Sequence, residues 1–561
     1  MKKPPDERFF TSVKTTLNSF CRDDTIKDKI RNHVENCSRL AFEVYELANL
    51  HVVKLLRSNE SIPPLNQSFF VKCCYLVNEM YRRKPKNVNI DPSLGNTYKN
   101  LYAKQKPKNY VSSYRDYSGS IINYLAKLME ISVTNHLVLN FEARFRKYIA
   151  RTYPESTAKS TKKRAYEIWK GTNSLAYDGD DSVVEKYRDI LNDKPPDENR
   201  VRKDPTGVLK IYDEILTAYL KDDTARRFSL LPRKNLTANY ITIDTSALKD
   251  LLAELKIKSH LKKNFDDTYW PSLFNVSNFE TCGKTFHNAF LTDGVGVSLI
   301  FEKTSHRREN EKEVTYDGEI LMGLDPGRRA LFVGRDQDDF VVARSTRNYR
   351  HDAYITKASK RRENCYEKNS EIGKYVKNTP TGKTNVIEDL LTRTKYCLTK
   401  LIDVVKFHHD KPFRRWKLTT WIRKKATINK LCKLLSRKAK KSDPDKVLIG
   451  FGNFSNGNSC IKGHCKGPVL TLKRELRRWT KVIDVDEYNT SKKCCECWSE
   501  MTKMKHDDVS TYSVLRCENN ECGIVIDRDV NASKNIRLLL RCRLGLEEKP
   551  ENISPKNGGN S

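Results

Sequence analysis

V-I-D-V-D-E-Y-N-T-S-K-K-C-C-E-C, residues 482–497, and C-E-N-N-E-C-G-I-V-I-D-R-D-V-N-A-S-K-N-I, residues 517–536, decide how the rest of the chain is read. Cys494 and Cys497 form a C-x2-C pair, and Cys517 and Cys522 form a C-x4-C pair. Two such pairs on short turns can close a tetrahedron of thiolates around Zn²⁺. Four unrelated buried cysteines are the plainer alternative, but paired ligand spacing in one lysine-rich segment favours zinc. Cys495 reads as a bystander. Acids flank the segment on both sides: a short apolar strand, Val482–Val485, leads to Asp486 and Glu487, and the run 524–526 leads to Asp527 and Asp529. A helical pattern then runs from about Ala532 through Leu540.

The 561 residues suffice for several domains. Lys and Arg total 104 against 71 Asp and Glu, a net charge of +33. An excess of that size points to a polyanionic partner, and nucleic acid is the commonest. The 26 tyrosines, 21 phenylalanines and 6 tryptophans among the basic residues offer rings for base stacking. The opening M-K-K-P-P-D-E-R does not read as a secretory signal, and no apolar run reaches bilayer length. The expectation is a soluble, intracellular protein with no membrane partner, its 16 cysteines reduced apart from metal ligation.

Working outward, apolar residues recur at helical spacing from about Thr25 to Leu56, and further helices are expected at 65–82, 112–131 and 134–151. The stretch 154–204 reads as polar loops. Strand character returns at F-S-L-L-P (228–232) and Y-I-T-I-D (240–244), and D-G at 293–294 marks a turn into another strand. In G-L-D-P-G (323–327) an apolar strand delivers Asp325 to a turn, where a hydrolase would hold a divalent metal. Residues 357–441 return to helix; there Arg414, Arg415, Arg423, Lys424 and Lys425 beside Trp416 and Trp421 make a candidate phosphate-binding face. A buried strand, Val447–Phe451, follows.

In this order G-L-D-P-G, V-L-I-G-F-G-N, D-E-Y-N-T-S-K-K-C-C-E-C and D-R-D-V-N-A-S-K-N-I resemble the split RuvC-like nuclease with inserted zinc ribbon of the transposon-encoded TnpB proteins. The eukaryotic branch, the Fanzor proteins, is the closer resemblance, and L-T-D-G-V-G-V-S-L-I-F (291–301) extends it to about half the chain. The resemblance implies a multidomain α+β protein. A small β-barrel wedge domain would take its first strand from 1–20 and its remainder from 226–315, around a helical recognition domain at 21–225. A RuvC-like, ribonuclease-H-like α/β nuclease domain would fill 316–493 and 523–545, split by a zinc ribbon at 494–522, with a disordered tail at 546–561. The implied activity is Mg²⁺-dependent, RNA-guided DNA cleavage beside a short target-adjacent motif. Guide RNA and target DNA, as heteroduplex and adjacent duplex, would be its partners in a monomeric ribonucleoprotein, and the location nuclear.

One departure matters. TnpB proteins carry a catalytic Glu at the end of the strand that here reads Val447–Phe451, whereas this chain has Gly450, Phe451, Gly452 and Asn453. The Fanzor resemblance moves the role to Glu487, giving Asp325, Glu487 and Asp529 as catalytic ligands of two Mg²⁺ ions. In-line cleavage by two metals needs about three or four carboxylates, and Asp484, Asp486 and Glu475 are substitutes should Glu487 not serve. The resemblance selects Asp529 over Asp527 because it stands two residues ahead of an Asn. A catalytically inactive, domesticated nucleic-acid-binding protein and a strand-joining transposase are the competing readings.

Overall fold

The longest continuous apolar pattern forms one helix, Asp24–Arg57, which the side chain of Asp23 opens by accepting from the Ile26 N–H at 3.0 Å. The computed structural model describes residues 9–79, 89–110, 119–154, 187, 190, 196–237, 239–257, 264–281, 283–303, 320–437, 447–453, 465, 467–506, 509–548 and 550. The chain divides into two units, Met1–His306 with Cys365–Arg415, and Arg307–Asn364 with Trp416–Ser561. No helix among the described residues is long and apolar enough to cross a membrane. Of the expected tail at 546–561, residues 549 and 551–561 lie outside the described residues, as does most of the expected loop at 154–204.

In the first unit the helix Asp24–Arg57 serves two cores. Ile26, Ile30, Val34 and Cys37 pack with a four-stranded antiparallel sheet of order β1-β4-β3-β2. Its strands are β1 (Phe9–Thr16), β2 (Ile241–Asp244), β3 (Lys284–Thr292) and β4 (Gly296–Lys303). The N-terminal strand thus pairs with β4, Val13 opposite Leu299. Among the described residues the two edges, β1 and β2, do not pair with each other. From Leu40 to Leu55 the helix is buried nearly all round against helices Gln67–Val77, Gly119–Thr152, Thr206–Leu220 and Ile387–His409. Of the acids caught there, Glu46 accepts from Arg233 at 2.7 Å and from Arg393 at 3.4 Å, and Glu43 accepts from the Tyr102 and Tyr110 hydroxyls at 2.9 and 2.6 Å.

Three expectations for this unit change. The helices expected at 112–131 and 134–151 are one, Gly119–Thr152, because no Pro or Gly interrupts it and Val133 at the expected break is buried. The stretch 228–232 is not a strand; the Leu231 N–H is satisfied by the Asn49 side chain rather than by a neighbouring strand. Residues 365–415, expected within the nuclease, belong to the first unit because Leu390, Cys397, Leu398, Leu401 and Val405 share its helical core.

The second unit is built on a five-stranded sheet of order β7-β6-β5-β8-β9, comprising β5 (Ile320–Asp325), β6 (Ala330–Asp336), β7 (Val341–Ser345), β8 (Val447–Gly452) and β9 (Lys481–Val485). β6 runs antiparallel to β5 and β7, while β5, β8 and β9 are mutually parallel. The continuous apolar runs of β5 and β8 suit strands covered on both faces, and all six residues of β8 are buried. Gly323 and Gly450 sit side by side in this register, and the C-terminal helix, Arg528–Arg543, lies across them. A Cβ at Gly323 would collide with the Ser533 carbonyl oxygen and the Arg537 backbone N, and one at Gly450 would fall 3.1 Å from the Leu540 Cβ. A separate three-stranded sheet holds β10 (Met501–His506), β11 (Val509–Cys517) and β12 (Val525–Asp527).

Candidate carboxylate and metal centres

Because β5, β8 and β9 are parallel, their carboxyl ends share one edge, where ligands of open α/β sheets gather. β5 ends at Asp325. Leu324 pairs with Phe451 and Gly452 with Val485, so Asp325, Gly452 and Val485 end three neighbouring strands. Glu487 follows β9 by two residues, and its carboxylate folds back over Gly452, where a Cβ would collide with Oε1. Its backbone N–H points to the Asn453 Oδ1 at 3.4 Å, and Asn453 in turn donates its N–H to the Val485 carbonyl at 2.9 Å.

Asp529 comes from elsewhere. The run 524–526 leads into β12 of the three-stranded sheet, so the acids after it do not end a strand paired with β9. Asp529 instead stands in the first turn of the C-terminal helix, about one turn before Ser533, which lies on Gly323. The helix therefore carries it to the end of β5. Asp527 is the N-cap: its Oδ1 accepts from the Asp529 N–H at 2.9 Å and the Val530 N–H at 3.2 Å. That role leaves Asp529 as the inward acid.

Glu487 and Asp529 both act on Asp325. Burial pushes the Asp325 carboxyl well above the usual carboxylate range, and the charges of Glu487 and Asp529 push it further, against the pull of Arg528. Asp529 is raised by burial and by Asp527, and relieved by Arg528 and Arg329. Negative charge gathered around a buried carboxyl favours a cation, although among the described residues only the four cysteines bring three or more ligand atoms within 4.8 Å of one another. The substitute acids are occupied elsewhere. Asp484 pairs with Lys473 and Arg477, Glu475 with Arg478 at 3.0 Å, and the Asp486 side chain accepts from the Tyr488 N–H at 3.2 Å.

The four cysteines come together as their spacing implied. Their sulfurs all lie within 4.8 Å of one another, with Cys494 to Cys522 at 3.7 Å and Cys497 to Cys517 at 3.4 Å. A tetrahedron with Zn–S bonds of about 2.3 Å has edges of about 3.8 Å, so the donor set fits zinc. Hydrogen bonds from Ser499 push the Cys497 thiol down to about 6, while burial pushes Cys517 up to about 12, so a metal taking all four as thiolates would displace protons. Cys495 is not part of the cluster, and its Sγ lies 3.6 Å from the Glu496 carboxylate.

The expected basic face is divided. Arg423, Lys424 and Lys425 are exposed on helix Lys411–Leu435, as is Arg415, but consecutive residues fan about 100° apart rather than sharing one face. The Lys425 ammonium sits 4.5 Å from the Trp421 ring centroid. Arg414 is committed to structure. Its guanidinium donates to the Asp293 carbonyl at 3.2 Å and packs on Gly294, which holds a φ of +83° in the β3–β4 turn.

Sequence reasoning overlooked Gly323 and Gly452, whose missing side chains admit the helix and the Glu487 carboxylate. It also overlooked Asn531 and Asn535, both fully buried. The N-x3-N spacing, which puts both on one helix face, was the available signal.

Residues 471–536 match the family model described as Cas12f1-like, TNB domain. Three TnpB-like proteins of Acanthamoeba polyphaga mimivirus are each 34% identical over 106 residues, covering 16% of this chain. The match spans 19% of the length of those relatives. Among solved structures, the chain in a Cas12f1–sgRNA–target DNA complex aligns with 73% of this chain and 94% of its own, at 14% identity and a TM-score of 0.24. The chain in a CRISPR–Cas12f ternary complex aligns with 94% and 98%, at 13% identity and a TM-score of 0.25. TM-scores this low carry no argument about the fold. The relation that the sequence matches support is to the TnpB- and Cas12f-like proteins.

Proposed function

We propose that the chain is an RNA-guided DNA endonuclease of the Fanzor branch of TnpB-like proteins, cleaving phosphodiesters with Mg²⁺ held by Asp325, Glu487 and Asp529. The observation that carries this reading is the Glu487 carboxylate over Gly452, at the strand end where TnpB-like proteins carry their own Glu. A central strand ending in Asp325, with parallel neighbours beyond it and an acid-bearing helix across it, supports the ribonuclease-H-like assignment. Two Mg²⁺ ions there would lower the pKa of an attacking water and offset charge on the leaving oxygen. The protein's part is to hold three acids on converging elements. Asn453 holds the Glu487 backbone, and Arg528 and Arg329 place positive charge beside the acids, where a phosphate would enter.

The +33 charge suits a chain that grips a guide RNA and its target strand, with sequence choice left to base pairing. The four cysteines would hold one structural zinc. The test is to purify the protein from its expressing cells, sequence the RNA that accompanies it, and reprogram that RNA against a plasmid. Cleavage at the matched site in Mg²⁺, lost with chelator, is the expected result. Absence of any accompanying RNA, together with absence of cleavage, would contradict it.

A further inference from the structure

The loop that carries Glu487 belongs to no strand of the five-stranded sheet, yet its acid has to meet Asp325 and Asp529. The Glu487 carbonyl accepts from the Thr490 N–H at 3.1 Å and from the Thr490 hydroxyl at 2.9 Å, closing a turn. The Lys493 N–H then bonds the Asn489 carbonyl at 3.2 Å. The C-terminal helix meets two carbonyls of this loop, those of Thr490 and Lys493. The Asn535 Nδ2 donates to Thr490 at 2.8 Å and Lys493 at 2.9 Å. The Asn531 Nδ2 donates to the same pair at 3.3 and 2.8 Å, while its Oδ1 accepts from the Cys495 N–H at 2.9 Å.

Each amide has two N–H groups, so four donors are spent on two carbonyls. Both side chains are fully buried, where an unmade hydrogen bond costs most. The clamp joins the loop bearing Glu487 to the helix bearing Asp529, two residues before Asn531.

We infer that Asn531 and Asn535 are positioning residues that fix Glu487 relative to Asp529 and so set the geometry of the carboxylate centre. The inference rests on the proposed reading of the three acids. It adds that a relocated acid, lacking a strand to hold it, is held by the helix that carries its fellow ligand. Replacing Asn535 by the similarly sized Leu removes two donors without changing any acid.

The test is a Mn²⁺ titration followed by electron paramagnetic resonance on the full zinc-loaded chain, run as a double-mutant cycle. The four proteins are wild type, Asn535→Leu, Glu487→Gln and the double variant. Asn535→Leu should weaken Mn²⁺ binding roughly threefold or more in the wild-type background, and scarcely at all once Glu487 is Gln. Zinc content and unfolding midpoint are read alongside, and Asn535→Ser takes the place of Leu if that variant does not fold. An equal loss in both backgrounds, or no loss in a folded variant, overturns the inference. Failure of the wild type to bind Mn²⁺ through these acids overturns it too. Coupling observed in a protein that never cleaves DNA would sustain the clamp while refuting the nuclease reading.

Discussion

The carboxylate of Glu487 stands over Gly452, in the space that a side chain at residue 452 would fill. The two positions, 35 residues apart in sequence, therefore compete for one volume. Gly452→Ala should displace the Glu487 carboxylate and cut Mg²⁺-dependent cleavage by on the order of tenfold or more, with the protein still folded. Placing the acid on the strand itself, as Gly452→Glu with Glu487→Gly, should recover part of that loss. Cleavage rates of the two variants beside wild type decide it. A Gly452→Ala protein as active as wild type would mean that the two positions do not compete.

The cysteine cluster should be a structural metal site. Cys494→Ser and Cys522→Ser should each lose the single bound zinc and lower the unfolding midpoint, because a tetrahedral shell missing one thiolate holds the ion far less tightly. Elemental analysis of the purified variants checks this, and full zinc occupancy in both would refute the assignment.

The β5–helix contact should tolerate no side chain. Gly323→Ala sets a methyl against the Ser533 carbonyl and the Arg537 backbone N, neither of which can rotate away. A loss of roughly 1–3 kcal/mol in urea unfolding is expected, as for other overpacked cores. A stability within about 0.5 kcal/mol of wild type would contradict the packing described here.

Much of this arrangement was legible in the sequence for a physical reason: ligand chemistry fixes spacing. Cys494, Cys497, Cys517 and Cys522 needed only their intervals, and Asp325 needed only an apolar strand before a Pro-Gly turn. The helix Asp24–Arg57 was legible from periodicity alone. The delivery of Asp529 was not, because the run Ile524–Ile526 has the apolarity of a core strand yet lies at the edge of a small sheet, with Val525 exposed. Arg414 misled for a related reason. A cation beside a tryptophan looks like a phosphate contact until the fold shows the Asp293 carbonyl it serves. Glycines are the hardest to read, since Gly323 and Gly452 act through the neighbours that occupy their missing side chains.

Acid should weaken the helical unit before it weakens the sheet of the second unit. His51, His136 and His409 are enclosed beside Thr97, Ser229 and Val405, and burial pushes each down to about 4. A histidine whose pKa is depressed by folding contributes full stability above its unfolded value near 6.5. That contribution is lost as pH falls from there toward 4, because the unfolded chain takes up protons that the folded chain refuses. The loss amounts to at most roughly 3 kcal/mol per histidine. Circular dichroism melts from about pH 7 to about pH 5 should show a falling midpoint, made shallower by His136→Gln. A midpoint that does not move over that range would contradict the assignment.

The account rests on Glu487 being the third metal ligand. The most direct measurement is the single-turnover cleavage rate of Glu487→Gln, loaded with guide RNA and held at saturating Mg²⁺, beside its affinity for target DNA. The variant keeps the size and hydrogen-bonding reach of the side chain and loses only its charge. Cleavage should fall by on the order of a hundredfold or more, with guide and target binding unchanged. Cleavage at the wild-type rate by a folded Glu487→Gln protein would contradict it.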